Sequence, residues 1–242
     1  MIALAFDDLT PIDAILAVSM NLITYAVLLY ATKLRSLGYQ QWICRKLVHI
    51  TLSLIIAGEI NFFTSLTGPL ITLILFLLIL FGISIFKSDL VTLFLETGTR
   101  SGDSKVDTLV ASISALIGYG LVVVFFINYP EIITSSILIV ALGDGAGEVF
   151  GRLFGKHKIK LPWGNKSLEG SFAVFIMSFL SILMSLALFS NSKLNFPEIT
   201  PLIFIVSAAV TLLEMIAYKW SDNLLLPIVS AYLLAYLLPI PP

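Results

Sequence analysis

The sequence predicts an all-α integral membrane protein of about eight transmembrane helices, with its functional site at their cytoplasmic ends. Three observations carry that prediction. The 242-residue chain is 58% hydrophobic and 12% charged, with a mean hydropathy of +1.02, whereas a soluble domain carries about 25% charged residues. Its apolar residues fall into runs near the roughly 20 residues that cross a bilayer. Its basic residues fall almost wholly on alternate connections between those runs. No tandem repeat, low-complexity tract or soluble domain interrupts the pattern, so 1–242 reads as one polytopic membrane domain.

The apolar runs are 12–32, 46–63, 66–86, 107–127, 131–150, 169–189, 199–218 and 222–239. Residues 1–11 lack the basic start of a signal peptide and the Arg/Ser richness of a transit peptide, so the first run is expected to remain as a span. The second carries Glu59 and Asn61 near its far end, and the last contains Pro227, which is expected to kink it. Between the third and fourth, KSDLVTLFLETG reads as a short amphipathic helix at the interface, followed by the Gly/Ser turn TRSGDS. The single Cys44 forms no intramolecular disulfide, and no Cys/His cluster has zinc spacing.

Loop charge sets the orientation. Lys33, Arg35, Arg45 and Lys46 lie on the first connection, and Lys87, Arg100 and Lys105 on the third. Arg152, Lys156, Lys158, Lys160 and Lys166 lie on the fifth, and Lys219 on the seventh, leaving only Lys193 of the 14 basic residues for the opposite side. By the positive-inside rule the odd connections are cytoplasmic. An even number of spans follows, with both termini outward, which suits the acidic start at Asp7, Asp8 and Asp13. The net charge of −1 argues neither for nor against an acidic partner, and no nucleic acid is expected.

Charge and glycine concentrate in GDGAGEVFGRLFGKHKIKLPWGNKSLEGSF, residues 143–172. Asp144 and Glu148 are spaced i, i+4 and share one helix face. Two acids there repel unless a cation sits beside them, and magnesium favours one or two carboxylates together with substrate phosphates. The bland alternative pairs these acids with Arg152 or Lys156. Gly147, Gly151 and Gly155 recur every fourth residue, the spacing of close helix packing. Gly143 and Gly145 flank Asp144, where a phosphate can approach bare backbone. No P-loop motif is present.

KHKIKLPWGNKSLEGSF reads as a basic loop ending at a helix start, with Ser167 as cap and Gly170 at the third position. Backbone N–H groups there, with Lys166 beside them, offer an anion site. Lys166 and Ser167 are read as ligands, whereas Lys156, Lys158 and Lys160 suit acidic headgroups. Lys46 and His49 lie i, i+3 near the start of the second run, beside Arg45. For His49, packing and function stand equally open. Glu214 and Tyr218 share a face of the seventh run, and Asp222 and Asn223 begin the eighth. Asp222 has an ordinary capping role available; Glu214 does not, since Lys219 at i+5 is poorly placed. The topology brings these segments to one depth. Acids, a His, cationic groups and a helix N-terminus meeting there describe phosphoryl or nucleotidyl transfer. A transporter would place its polar groups near the midplane, and here the midplane is almost purely apolar.

With those residues in view, the chain resembles the membrane family of CTP-dependent lipid kinases, which includes phytol, farnesol and dolichol kinases and CTP-using diacylglycerol kinases. RKLVH (45–49), GDGAGEVFGRLFG (143–155), KLPWGNKSLEGS (160–171) and Glu214 with DNLLLP (222–227) carry the resemblance, which is nearest to the phytol/prenol branch. It implies CTP as phosphate donor, Mg²⁺, and a long-chain isoprenoid alcohol held among membrane lipids as acceptor. On this chain it implies Asp144, His49 and Glu214 as catalytic, with His49 or an acid as the base. Together with the reading of the residues above, it sets Arg45, Lys46, Gly143, Gly145, Arg152, Lys166, Ser167, Gly170 and Asn223 around the nucleotide, and Asp144, Glu148 and Asp222 around the metal, as expectations. The third connection, TRSGDSKVD, departs from the Glu-richer plant branch. Phosphatidate cytidylyltransferases share an Asp, a glycine run and a K(S/T)xEG element, but DNLLLP stands where their HGG…DR.D signature would be.

Overall fold

The computed structural model describes residues 8–100, 103–162, 164–190 and 195–238. Asp7, Lys193, the Ser101–Gly102 part of the TRSGDS turn and Trp163 lie outside the described residues. All eight predicted runs are helices: α1 (Pro11–Ser36), α2 (Gln41–Glu59), α3 (Thr67–Phe86), α5 (Lys105–Phe126), α6–α7 (Pro130–Leu138 and Gly145–Leu153), α8 (Leu168–Phe189), α9 (Phe196–Ile216) and α10 (Ser221–Leu237). The predicted amphipathic segment is α4 (Ser88–Gly98). Six of these rods are long and apolar enough to cross a membrane; α2 and the shorter α10 do not meet that test. Among the described residues the regular structure is helical but for one short hairpin, as an α-helical membrane protein requires, since only internally bonded backbone is stable in hydrocarbon.

The chain divides into two compact units, Met1–Leu109 and Val110–Pro242. In the first, Thr10 and Asp13 form a capping box at the start of α1, with Pro11 behind the cap. Asp13 is fully buried. Its carboxylate accepts from the Thr64 amide at 2.8 Å and from the Thr64 and Ser65 hydroxyls at 2.9 Å each. The acid read as part of an outward-facing acidic start therefore locks α1 to the α2–α3 connection. Further along, Asn21 donates to the Thr72 carbonyl and Tyr25 to the Phe76 carbonyl. The constant offset of these pairs makes α1 and α3 parallel neighbours.

In the second unit α6–α7 is the central rod, with 72% of its most apolar window buried. Its middle, Ile139–Asp144, is a π-helical turn, a local widening common at functional sites. It lies antiparallel to α8: Ser185 donates to the Glu131 carbonyl, Ser181 to that of Leu138, Gly143 faces Ser178, and Gly147 faces Val174 and Gly170. α9 returns beside α8, with Phe204 edge-on to Phe175 at 4.9 Å. α10 runs parallel to α5, Asn223 reaching Ala111 and Tyr232 reaching Phe126. Pro227 sits inside α10, which continues through it.

The stretch read as a basic loop contains an antiparallel hairpin, β1 (Lys158–Leu161) with β2 (Gly164–Ser167). The available signal was the alternation KIKL before a Pro/Gly turn; its lysines masked it.

Candidate functional site

In the second unit the ends of α7 and α9 and the starts of α8 and α10 come together. β2 delivers Lys166 there. Ile159 pairs with Lys166 and Lys158 with Ser167 across the hairpin, so β1 braces the strand immediately before α8. Ser167 is the N-cap of α8, its hydroxyl accepting from the Gly170 amide at 3.1 Å, as its sequence position predicts. Lys158 donates to the Gly151 carbonyl, satisfying an orphan acceptor near the end of α7.

Lys166 makes a close ion pair with Glu214 of α9. This answers why an acid lies inside an apolar run: its partner is 48 residues away in sequence rather than Lys219. Asp144, Glu214 and Asp222 are 6%, 4% and 3% exposed. Burial disfavours the Lys166 ammonium, but the carboxylates of Glu214, Asp144 and Asp222 outweigh it and hold the lysine above its ordinary pKa. One ammonium is therefore shared by the field of three buried acids. Among the described residues, no three or more His, Cys, Asp or Glu side chains are grouped as a ready metal cage.

The other residues singled out from sequence divide by surroundings. Glu148 pairs with Arg152 at 3.0 Å, the alternative that the sequence left open for both. Gly143, Gly151 and Gly170 have a packing role: an added Cβ would stand 2.7 Å from Ser178 Oγ, 3.1 Å from Ser167 Oγ and 2.7 Å from the Gly147 carbonyl, respectively. Gly145 is buried at the start of α7. Ser167 Oγ, read as a phosphate ligand, is engaged with the cap and packed among Gly151, Gly155 and Gly170. Asp222 bonds the Asn223 amide at 2.8 Å, while Trp220, not Asp222, is the capping position of α10. The Asn223 side chain donates to the Ala111 carbonyl, tying α10 to α5. Arg45, Lys46 and His49 belong to the first unit, on one stretch of α2, with Lys46 buried and the other two partly so.

The start of α8, expected to be an open anion site, already holds an anion. The Glu169 carboxylate accepts from the His157 amide at 3.1 Å and contacts the His157 ring at 2.7 Å, while the Leu168 amide donates to the His157 carbonyl. Glu169 has no role in the sequence reading. Its only signal there is an acid in a first helical turn, which the helix dipole alone explains. Compared with known proteins, the chain matches no family model, no curated protein and no solved structure.

Proposed function

We propose that this protein is a CTP-dependent lipid kinase, transferring the terminal phosphoryl group of CTP to the hydroxyl of a long-chain isoprenoid alcohol within the membrane. The observation that carries the proposal is the buried cluster of Lys166, Glu214, Asp144 and Asp222 at one end of otherwise apolar rods. A phosphoryl group in transfer spreads negative charge over its oxygens, and catalysis consists of placing cations against it. Lys166 is a cation already held in place there. Of the segments that carry the family resemblance, KLPWGNKSLEGS supplies Lys166, GDGAGEVFGRLFG supplies Asp144, and Glu214 with DNLLLP supplies the other two acids.

The chain's own residues divide the work as follows. Lys166 receives the phosphates. Asp144 and Asp222 offer hard oxygen donors, which fit Mg²⁺ held partly by substrate phosphates rather than by an all-protein cage. When bound, that ion neutralises phosphate charge. Glu214, released from Lys166 as the phosphates take it, accepts the hydroxyl proton. Eight spans, a cytoplasmic site and both termini on the opposite face complete the proposal, with the lipid tail staying in hydrocarbon.

The decisive assay supplies purified protein in detergent with CTP, Mg²⁺ and phytol or geranylgeraniol. CDP and a prenyl phosphate are expected. Pyrophosphate and a CDP-lipid formed from phosphatidate would replace the proposal with a cytidylyltransferase, and absence of any CTP turnover would end both. Asp144→Asn is expected to abolish turnover while the protein keeps its fold.

A further inference from the structure

We propose that Glu169 is the positioning residue for Lys166, clasping the β1–β2 hairpin to α8 so that the lysine is presented to the nucleotide phosphates. Lys166 sits on a strand of only four residues, and an isolated hairpin of this size does not hold its own position in water. Here its position is imposed from outside. The Glu169 carboxylate, in the first turn of α8, takes the His157 amide and meets the His157 ring, and the His157 carbonyl takes the Leu168 amide. Residue 157 is thereby fixed against residues 168 and 169, just beyond the last paired residues, Lys158 and Ser167. One step further along the ladder is Ile159 opposite Lys166. Lys158 adds a bond to the Gly151 carbonyl on α7. The hairpin is thus tied at its base to α8 and to α7, and Lys166 reaches Glu214 from a fixed strand.

The proposal rests on Lys166 being the phosphate ligand of the kinase reading, so the test reads Lys166 directly as well as turnover. Acylation of lysines by a water-soluble reagent, followed by mass spectrometry, compares Lys166 with exposed Lys160. In the natural protein Lys166 is expected to label slowly. Glu169→Ala is expected to speed its labelling about threefold and to raise the KM for CTP by a similar factor, the scale of a lost exposed ion-pair contact, with the KM for the lipid unchanged. Glu169→Gln, whose amide oxygen still accepts from the His157 amide, is expected to restore most of both. Should Glu169→Ala not fold, Glu169→Asp, whose shorter arm withdraws the carboxylate, serves with the same readouts.

Unchanged Lys166 labelling in the Ala variant overturns the clasp. So does faster labelling with an unchanged KM for CTP. Gln as damaging as Ala in turnover, with Lys166 still protected, makes Glu169 a ligand contact instead. If the natural protein turns over no CTP, the labelling still decides the clasp and only the kinase reading falls.

Discussion

The glycines of α7 and α8 admit two roles, ligand approach or helix packing, and Gly170→Ala separates them. A Cβ there would stand 2.7 Å from the Gly147 carbonyl oxygen and 3.2 Å from the Gly151 Cα. Both obstacles are backbone, so no side chain can turn aside. Comfortable contact begins at about 3.5 Å, so α7 and α8 must part by roughly 0.8 Å at their closest approach. Overpacking costs about 1–3 kcal/mol, and against backbone that cannot turn aside the upper part of that range, about 2–3 kcal/mol, applies. The better helix propensity of alanine offsets about 1 kcal/mol, leaving a net loss of about 1–2 kcal/mol. For a chain of this length each kcal/mol moves Tm by about 2–4 °C, so a fall of about 2–8 °C is expected in detergent, read by intrinsic fluorescence on heating. Two companions sharpen the test. Gly147→Ala meets the Val174 Cγ2 at 2.6 Å, so Val174→Ala in the same chain is expected to recover part of its loss. Gly120→Ala, with nothing within 4 Å, is expected to leave Tm unchanged or raised. A Gly170→Ala protein that melts with the natural one refutes the packing argument. If that protein also loses CTP turnover, the glycine serves the ligand.

Three further predictions follow from the same geometry. Lys166→Met strands the buried Glu214 carboxylate, and Glu214→Gln removes the closest of the three acids around Lys166; with the lysine side chain 29% exposed, each is expected to cost about 1–3 kcal/mol. The double variant should lose clearly less than the sum, and additive losses in a thermal double-mutant cycle would show that the pair is not coupled. Asp13→Ala removes three accepted bonds and the capping box, so a loss of about 3 kcal/mol is expected, with Asp13→Asn between; an unchanged Tm would mean that α1 is held by other contacts. Lys219 sits in the turn before α10 with φ +43°, a conformation costing a non-glycine residue about 1 kcal/mol. Lys219→Gly is expected to gain up to that amount, and a lower Tm would show that the lysine's place over the Tyr218 ring outweighs the strain.

Local composition settled a good deal of this molecule. The eight helices, the amphipathic α4 and the Ser167 cap were all legible, because apolar length, face and cap chemistry are written within a few residues of the element they specify. Pro11 and Thr10 likewise announce the start of α1. What the sequence could not supply was partner choice. Asp13 looks like a solvated terminal acid until the α2–α3 connection brings Thr64 and Ser65 to it. Glu214 looks stranded until β2 brings Lys166 across 48 residues. The four-residue glycine spacing is the same whether a phosphate or a helix comes close, and only the antiparallel register of α6–α7 on α8 put Ser178, Val174 and Gly170 against those glycines. The π turn at Ile139–Asp144 shifts the phase of that register, so a strict 3.6-residue reading could not have aimed Asp144. Helix formation is decided by each residue and its near neighbours. Which buried charge meets which is decided by the sum of many packing contacts between helices, and that sum exists only once the rods have docked.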